Sequence, residues 1–203
     1  MSEDSRVKSS SPLPSFIFRI SAAVAAVEKV VASLLIAAVA VLILLNVFTR
    51  YAGYALYWVD ELAIYTMVWA ALVAGSLSVR RRMLISVTLV IDVVGRRVQR
   101  AMLAANDVIM LVFSCFLIWL CWIWFNPWLF AQAGFDVGTF VMETGNFIYG
   151  EPTNTLGIRK VWLWLIMPVF AFTVTIHSLA NTIETIWLGN TEPYAQPDGS
   201  AGQ

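Results

Sequence analysis

The chain has 203 residues, of which 60% are hydrophobic and 13% are charged, and its formal net charge is zero. Soluble proteins use roughly 45–50% apolar and 25% charged residues, so a soluble chain of this size could not bury so much apolar surface in one core. The excess must face lipid, and the balanced charge gives no global field that would attract a nucleic acid.

Four segments are long and apolar enough to cross the bilayer, since about 20 apolar residues cover its hydrocarbon core. The charge-free windows are Val30–Thr49, Leu62–Val79, Val108–Phe125 and Val161–Ile183. With their flanks, the membrane helices are expected over about residues 24–49, 59–80, 100–125 and 160–186. A helix satisfies its own backbone hydrogen bonds, which makes it the default structure in lipid. The predicted fold is therefore an all-α, integral membrane domain of four transmembrane helices over residues 16–189.

Other segments are not predicted to cross the bilayer. Residues 1–15, which are rich in Ser and Pro, and the tail 190–203 are expected to be disordered. The apolar stretch between Arg82 and Arg96 is too short to cross and has arginines on both sides, which favours a short amphipathic helix at the interface. The stretch Phe16–Val27 either extends the first span towards the N-terminus or lies flat before it.

The connection over residues 126–159 is long for a loop and is rich in glycine and aromatic residues. Loops of this length are usually either functional or disordered. This one is too hydrophobic for plain disorder, because it contains Trp128, Phe130, Phe135, Phe140, Phe147 and Tyr149. We expect it to fold along the outer membrane surface as short helices.

Basic residues are concentrated on one side of the predicted membrane domain. They precede the first span or fill the connection between the second and third spans: Arg6, Lys8, Arg19, Lys29, Arg80, Arg81, Arg82, Arg96, Arg97 and Arg100. The opposite side has only Arg50, Arg159 and Lys160, together with several carboxylates. The positive-inside rule then predicts that both termini lie in the cytoplasm.

Charged and aromatic residues at the span ends are candidates for contact with a partner chain, because charges in or beside a span are costly and are often functional. The candidates are Trp58, Asp60, Glu61, Trp69, Arg80, Arg81, Arg82 and Asp107. The acidic pair either stabilises a helix N-terminus or docks onto a partner. Asp107 either caps the third helix or makes an inter-helix or inter-subunit contact. The triple arginine either anchors the topology or binds anionic lipid or an acidic loop of a partner.

No catalytic apparatus, cofactor site or metal site is predicted. A haem held between helices usually needs two axial ligands, often histidines, and His177 is alone. It is either hydrogen-bonded to a neighbouring helix or acts as a ligand or proton relay. No span shows the carboxylate and histidine spacing of a helical metal site, and no glycine-rich phosphate loop is present. Cys115 and Cys121 are interpreted as small buried apolar residues.

The order of these motifs resembles the small membrane (DctQ-like) subunits of tripartite ATP-independent periplasmic (TRAP) transporters. The resemblance covers roughly Val24 to Ile186. It is carried by Trp58-Val59-Asp60-Glu61-Leu62, Trp69, Gly75, Arg80 to Arg82, Thr155-Leu156-Gly157-Ile158, Val161-Trp162-Leu163-Trp164 and Pro168. Each motif is weak alone, but their order and spacing together are more specific.

The resemblance implies a supporting role in the bacterial inner membrane. In this family a soluble periplasmic protein captures the solute, and a large membrane subunit carries out ion-gradient-driven transport of an organic acid or similar solute. The small subunit braces the large one and helps to dock the binding protein, and the loop 126–159 is a candidate for that contact. Two alternatives stay open from the residues themselves: a self-contained homo-oligomeric small transporter or channel, and a membrane anchor of a redox complex.

Overall fold

The computed structural model describes residues 12–82 and 96–188 of the chain. The helices in this part are α1 (Pro12–Tyr51), α2 (Tyr57–Arg81), α3 (Arg96–Phe125), α4 (Pro127–Gln132), α5 (Val137–Thr144), α6 (Val161–Trp164) and α7 (Ile166–Ile183), followed by a π-helical segment, Glu184–Leu188. Among the described residues, four helical stretches are long and apolar enough to cross a membrane: Ser15–Tyr51, Tyr57–Arg81, Arg100–Gln132 and Val161–Ile186. The prediction of an all-α fold with four spans is confirmed.

Several predicted features lie outside the described residues. The amphipathic helix expected between Arg82 and Arg96 falls on residues 83–95. Residues 1–11 of the predicted N-terminal tail and the whole predicted tail 190–203 also lie outside. Helix α1 begins at Pro12, so the last residues of the segment expected to be disordered are helical.

Helix α1 runs without a break for 40 residues, so the stretch Phe16–Val27 extends the first span. At 1.5 Å per residue the helix is about 60 Å long, roughly twice the thickness of the hydrocarbon core. The apolar window ends at Glu28 and Lys29, but the helix continues through them. The charge of Glu28 is compatible with this continuation because its side chain is buried against α7 instead of facing lipid.

Helix α7 lies at the centre of the bundle, since it packs against α1, α2 and α3, while α1 packs mainly against α2. Hydrogen bonds join α2 to the last span. The indole N–H of Trp69 donates to the Leu163 carbonyl at 2.8 Å, and Ser76 Oγ donates to Thr173 Oγ1 at 2.8 Å. In lipid, polar contacts of this kind and close packing replace the hydrophobic effect as the force between helices.

The last span is interrupted between α6 and α7, at Leu165. Pro168 explains the interruption, because its ring removes the hydrogen bond to the carbonyl four residues earlier and crowds that carbonyl. Trp69 binds the carbonyl of Leu163 beside this break, so an α2 side chain supplies a donor where the helix is distorted. Neighbouring helices commonly satisfy backbone groups at such breaks in membranes.

The connection between the third and fourth spans folds into two short helices and a small aromatic core. Phe125, Phe140, Ile148 and Val161 are buried together, and the rings of Phe130 and Tyr149 stack at 3.9 Å. Asp136 accepts a hydrogen bond from the Thr139 N–H at 2.7 Å at the start of α5, and this bond lowers the pKa of its carboxyl. The short helices expected in this connection are present, and their position along the membrane surface stays a prediction.

Candidate functional site

Apart from Trp69, which lies at the middle of α2, the predicted contact residues fall into two groups at opposite ends of the bundle. We call the end where α1 begins and α7 finishes the terminal end, and the end where α1 turns into α2 the loop end. At the terminal end, side chains from α2, α3 and the last span form an arginine network. Its members are Arg80, Arg82, Asp107, Asn181, Glu184 and Thr185.

Arg80 is the most deeply buried charge of the arginine network, with 2% of its surface exposed. Its Nη1 donates to Asn181 Oδ1 at 2.6 Å and to Glu184 Oε2 at 3.0 Å, and its Nη2 donates to Glu184 Oε1 at 2.8 Å. The two bonds to Glu184 form the paired geometry that a guanidinium and a carboxylate favour. Asn181 in turn donates to the Val79 carbonyl at 2.8 Å. Arg80 therefore ties the end of α2 to the end of the last span.

Arg82 ends α2 in the left-handed conformation, with φ of 52°, so the chain turns and its side chain reaches the other helices. Its Nη2 donates to Asp107 Oδ2 at 3.1 Å and to Thr185 Oγ1 at 2.6 Å. Thr185 Oγ1 also donates to Asp107 Oδ2 at 2.6 Å. Asp107 is buried in the interior of α3, which begins eleven residues earlier, so the capping interpretation is wrong and the inter-helix contact is confirmed.

The sequence did not predict that arginines of the triple cluster would pair inside the bundle. Arg80 and Arg82 point into the bundle and pair with carboxylates of the same chain, while Arg81 is half-buried. Their acceptors Asn181, Glu184 and Thr185 were missed. A signal for them exists, because polar residues spaced three and four apart share one face of a helix.

His177 lies in a second buried cluster, one turn before Asn181. Its Nδ1 is 2.8 Å from Ser21 Oγ, and its Nε2 is 3.0 Å from Glu28 Oε2. Both partners belong to α1, so the contact with a neighbouring helix that the first interpretation predicted is present. The arrangement joins serine, histidine and glutamate in a row, but Ser21 and His177 are fully buried, which leaves no access for a substrate.

At the loop end, the acidic pair makes contacts within the chain. Asp60 bonds to Asn46 and pairs with Arg50 Nη2 at 2.5 Å, with more than a third of each charged side chain exposed. Glu61 accepts bonds from the backbone N–H groups of Asn154, Thr155 and Leu156 at 2.9, 2.6 and 3.1 Å. It also accepts one from Thr155 Oγ1 at 2.6 Å. Glu61 therefore holds the loop 126–159 against the start of α2.

The two candidate tryptophans of α2 have different environments. Trp69 is half-buried and hydrogen-bonded to the last span, whereas Trp58 is 42% exposed at the start of the helix. The two cysteines also differ. Cys121 is buried as expected, but Cys115 is exposed on α3, so its interpretation as a buried apolar residue is wrong.

The chain is therefore a four-span bundle whose buried charges are paired within the chain. A family model described as the DctQ component of tripartite ATP-independent periplasmic transporters matches residues 39–187. The chain belongs to this family. No curated protein and no solved structure matches it. As a DctQ-family protein it is the small, multi-pass membrane subunit of a TRAP transporter, which confirms the resemblance found in the sequence.

The match to the DctQ family includes the whole arginine network, the acidic pair and His177. The two α1 partners of the histidine, Ser21 and Glu28, lie before the matched segment. Contact of Trp58, Asp60, Glu61, Trp69, Arg80, Arg81, Arg82 or Asp107 with another subunit stays a prediction.

Proposed function

We propose that this DctQ-family subunit braces the large membrane subunit of its transporter in the bacterial inner membrane and helps to dock the periplasmic binding protein. In this proposal the large subunit moves an organic acid or a similar solute, driven by an ion gradient. The observation that carries the proposal is the internal pairing of the buried charges at the terminal end. Arg80, Arg82, Asp107 and Glu184 are all engaged by side chains of the same chain.

Charges that move a solute or an ion usually face a cavity or a pathway between helices. In the described part of this chain, the arginine network and the His177 cluster instead connect one helix to another and are buried. Such contacts between helices favour a bundle that behaves as one rigid body. The outer faces of α1 and α3 are apolar and exposed, as Leu34, Leu44 and Val112 illustrate with more than 60% of their surface accessible. These faces suit lipid and a large hydrophobic partner.

The distribution of charge supports the terminal end as the cytoplasmic one. Among the described residues, Arg19, Lys29, Arg81 and Arg100 belong to the segments at that end. The loop end has fewer basic residues, and two of them, Arg50 and Lys160, are paired with carboxylates. By the positive-inside rule the loop 126–159 then faces the periplasm. There it is available to the binding protein.

The loop has the surface that a docking role needs. Trp128, Phe135, Met142 and Phe147 are each more than 60% exposed, although the loop has its own buried aromatic core. Ordered loops with exposed aromatic side chains are common at protein interfaces. Glu61 fixes one end of this surface to α2. We therefore infer that the loop presents a preformed surface.

The test is affinity purification of the tagged full chain from detergent-solubilised native membranes, with co-purifying chains identified by mass spectrometry. We expect a large polytopic permease near a one-to-one ratio, and retention of the soluble binding protein by that complex when its solute is added. Recovery of this chain alone would favour a homo-oligomeric transporter. Recovery of a flavoprotein or an iron–sulfur protein would favour the redox anchor, and either result contradicts the proposal.

A further inference from the structure

A groove of about 450 Å³ runs along the last span at the loop end, between α3, the loop 126–159 and α6–α7. Its walls are almost entirely apolar and include Cys121, Phe125, Val161, Pro168 and Phe172. Of the described residues that line it, only Arg159 carries a charge. An apolar groove with one cationic side chain is complementary to an amphiphile with an anionic head group.

The length of the groove matches one leaflet of a bilayer. From Val161 to Phe172 the last span rises about 16 Å at 1.5 Å per residue. One leaflet contributes about 15 Å, half of the hydrocarbon core. Arg159 lies just before Val161, where the membrane-spanning stretch starts, so it is placed at the depth of lipid head groups.

The tryptophans beside the groove suit a site near the membrane interface. Trp122 and Trp162 line the groove, and both are more than half exposed, as expected for indole rings near a membrane interface.

Arg159 differs from the basic residue beside it. Lys160 donates to Glu151 Oε1 at 2.6 Å and is therefore neutralised within the chain. Within the described part of the chain, the Arg159 side chain makes no hydrogen bond or ion pair. The residue is exposed at the mouth of the groove. A guanidinium binds a phosphate through two parallel hydrogen bonds. The described lining residues include no carboxylate that could bind an ammonium head group, so a net anionic lipid fits better than a zwitterionic one.

We propose that this groove binds one anionic glycerophospholipid, with an acyl chain along α7 and the phosphate on Arg159. The lipid fills the space between the third and fourth spans beside the loop. It thereby supports the surface that the loop presents. The site depends on the geometry of this chain alone and not on which side of the membrane the loop end faces.

The experiment is native mass spectrometry of the delipidated full chain, titrated with phosphatidylglycerol and, separately, with phosphatidylcholine of the same acyl chains. We expect one tightly bound phosphatidylglycerol per chain. Arg159→Gln should weaken its binding about tenfold, as expected for the loss of a charged hydrogen bond, and should remove the preference over phosphatidylcholine. Lys160→Gln is the matched control, because it removes the same charge one residue away from the groove, and it should change affinity less than about twofold.

A second variant tests the apolar part of the site independently. Ile118 lines the groove on α3, so Ile118→Trp should fill the channel and weaken both phospholipids about equally. Val112→Trp places the same ring on an exposed position of α3 that does not line the groove, and it should leave binding unchanged. Equal effects of Arg159→Gln and Lys160→Gln, or of the two tryptophan variants, would overturn the proposal. So would loss of the bound lipid on assembly with a partner whose helix cross-links to Cys121, because the groove would then be a protein interface.

Discussion

The two ends of the bundle use the same ionic groups in opposite settings. At the terminal end, Arg80 and Glu184 meet with only 2% and 16% of their side chains exposed. At the loop end, Arg50 and Asp60 meet with 57% and 38% exposed. Both pairs join neighbouring spans, and their N···O distances are similar. The difference between them is burial.

Burial changes what an ion pair does for the protein. An exposed pair contributes little, because water solvates each partner almost as well alone. A buried pair gains little over apolar packing, but the loss of one partner leaves an unsolvated charge and is strongly destabilising. The arginine network therefore makes the terminal end intolerant of change. The loop end can vary its charges with little effect on folding.

The sharpest test of this comparison removes one arginine from each end. Arg80→Gln leaves Glu184 without its charge partner, and we expect a loss of about 3–5 kcal/mol of unfolding free energy. Arg50→Gln is the matched control and should cost less than about 1 kcal/mol. The measurement is denaturation in mixed micelles, followed by tryptophan fluorescence. Similar losses for the two variants would show that burial does not separate the two ends.

A smaller effect is expected for the coupling between Arg82 and Asp107. Both side chains are at least 94% buried, and they share Thr185 as a common partner. A double-mutant cycle with Arg82→Gln and Asp107→Asn should give a coupling energy of about 1–3 kcal/mol. The corresponding cycle for Arg50 and Asp60 should give less than about 1 kcal/mol. Additive losses in the buried pair would mean that each residue acts through separate contacts.

The sequence allowed the spans to be predicted, because hydropathy and length decide which segments cross a membrane. It also allowed one contact of His177 to be anticipated, since a buried polar side chain needs a partner. The sequence did not identify that partner. Ser21 and Glu28 are about 150 residues away in the chain and meet His177 only because α1 packs on α7.

The internal pairing of Arg80 and Arg82 was not predicted, for a similar reason. A basic cluster after a span usually marks the cytoplasmic side, and that local pattern is the same whether the side chains face water or the bundle. The left-handed turn at Arg82 and the position of Glu184 on the last span direct these side chains into the bundle. Neither follows from hydropathy. The groove at Arg159 was equally hidden, because three separate segments form it.

The smallest effect on stability is expected at Glu61, a charge of the loop end that contacts the loop 126–159. Glu61→Gln removes the charge that accepts three backbone N–H groups, so the amides of Asn154, Thr155 and Leu156 should exchange with deuterium faster, while the unfolding transition stays unchanged. Asp60→Asn is the control, since Asp60 does not touch the loop, and the three amides should keep their protection. Unchanged exchange in Glu61→Gln would mean that the aromatic core around Phe140 holds the loop without this carboxylate. Faster exchange with normal folding would separate the order of the loop surface from the stability of the bundle.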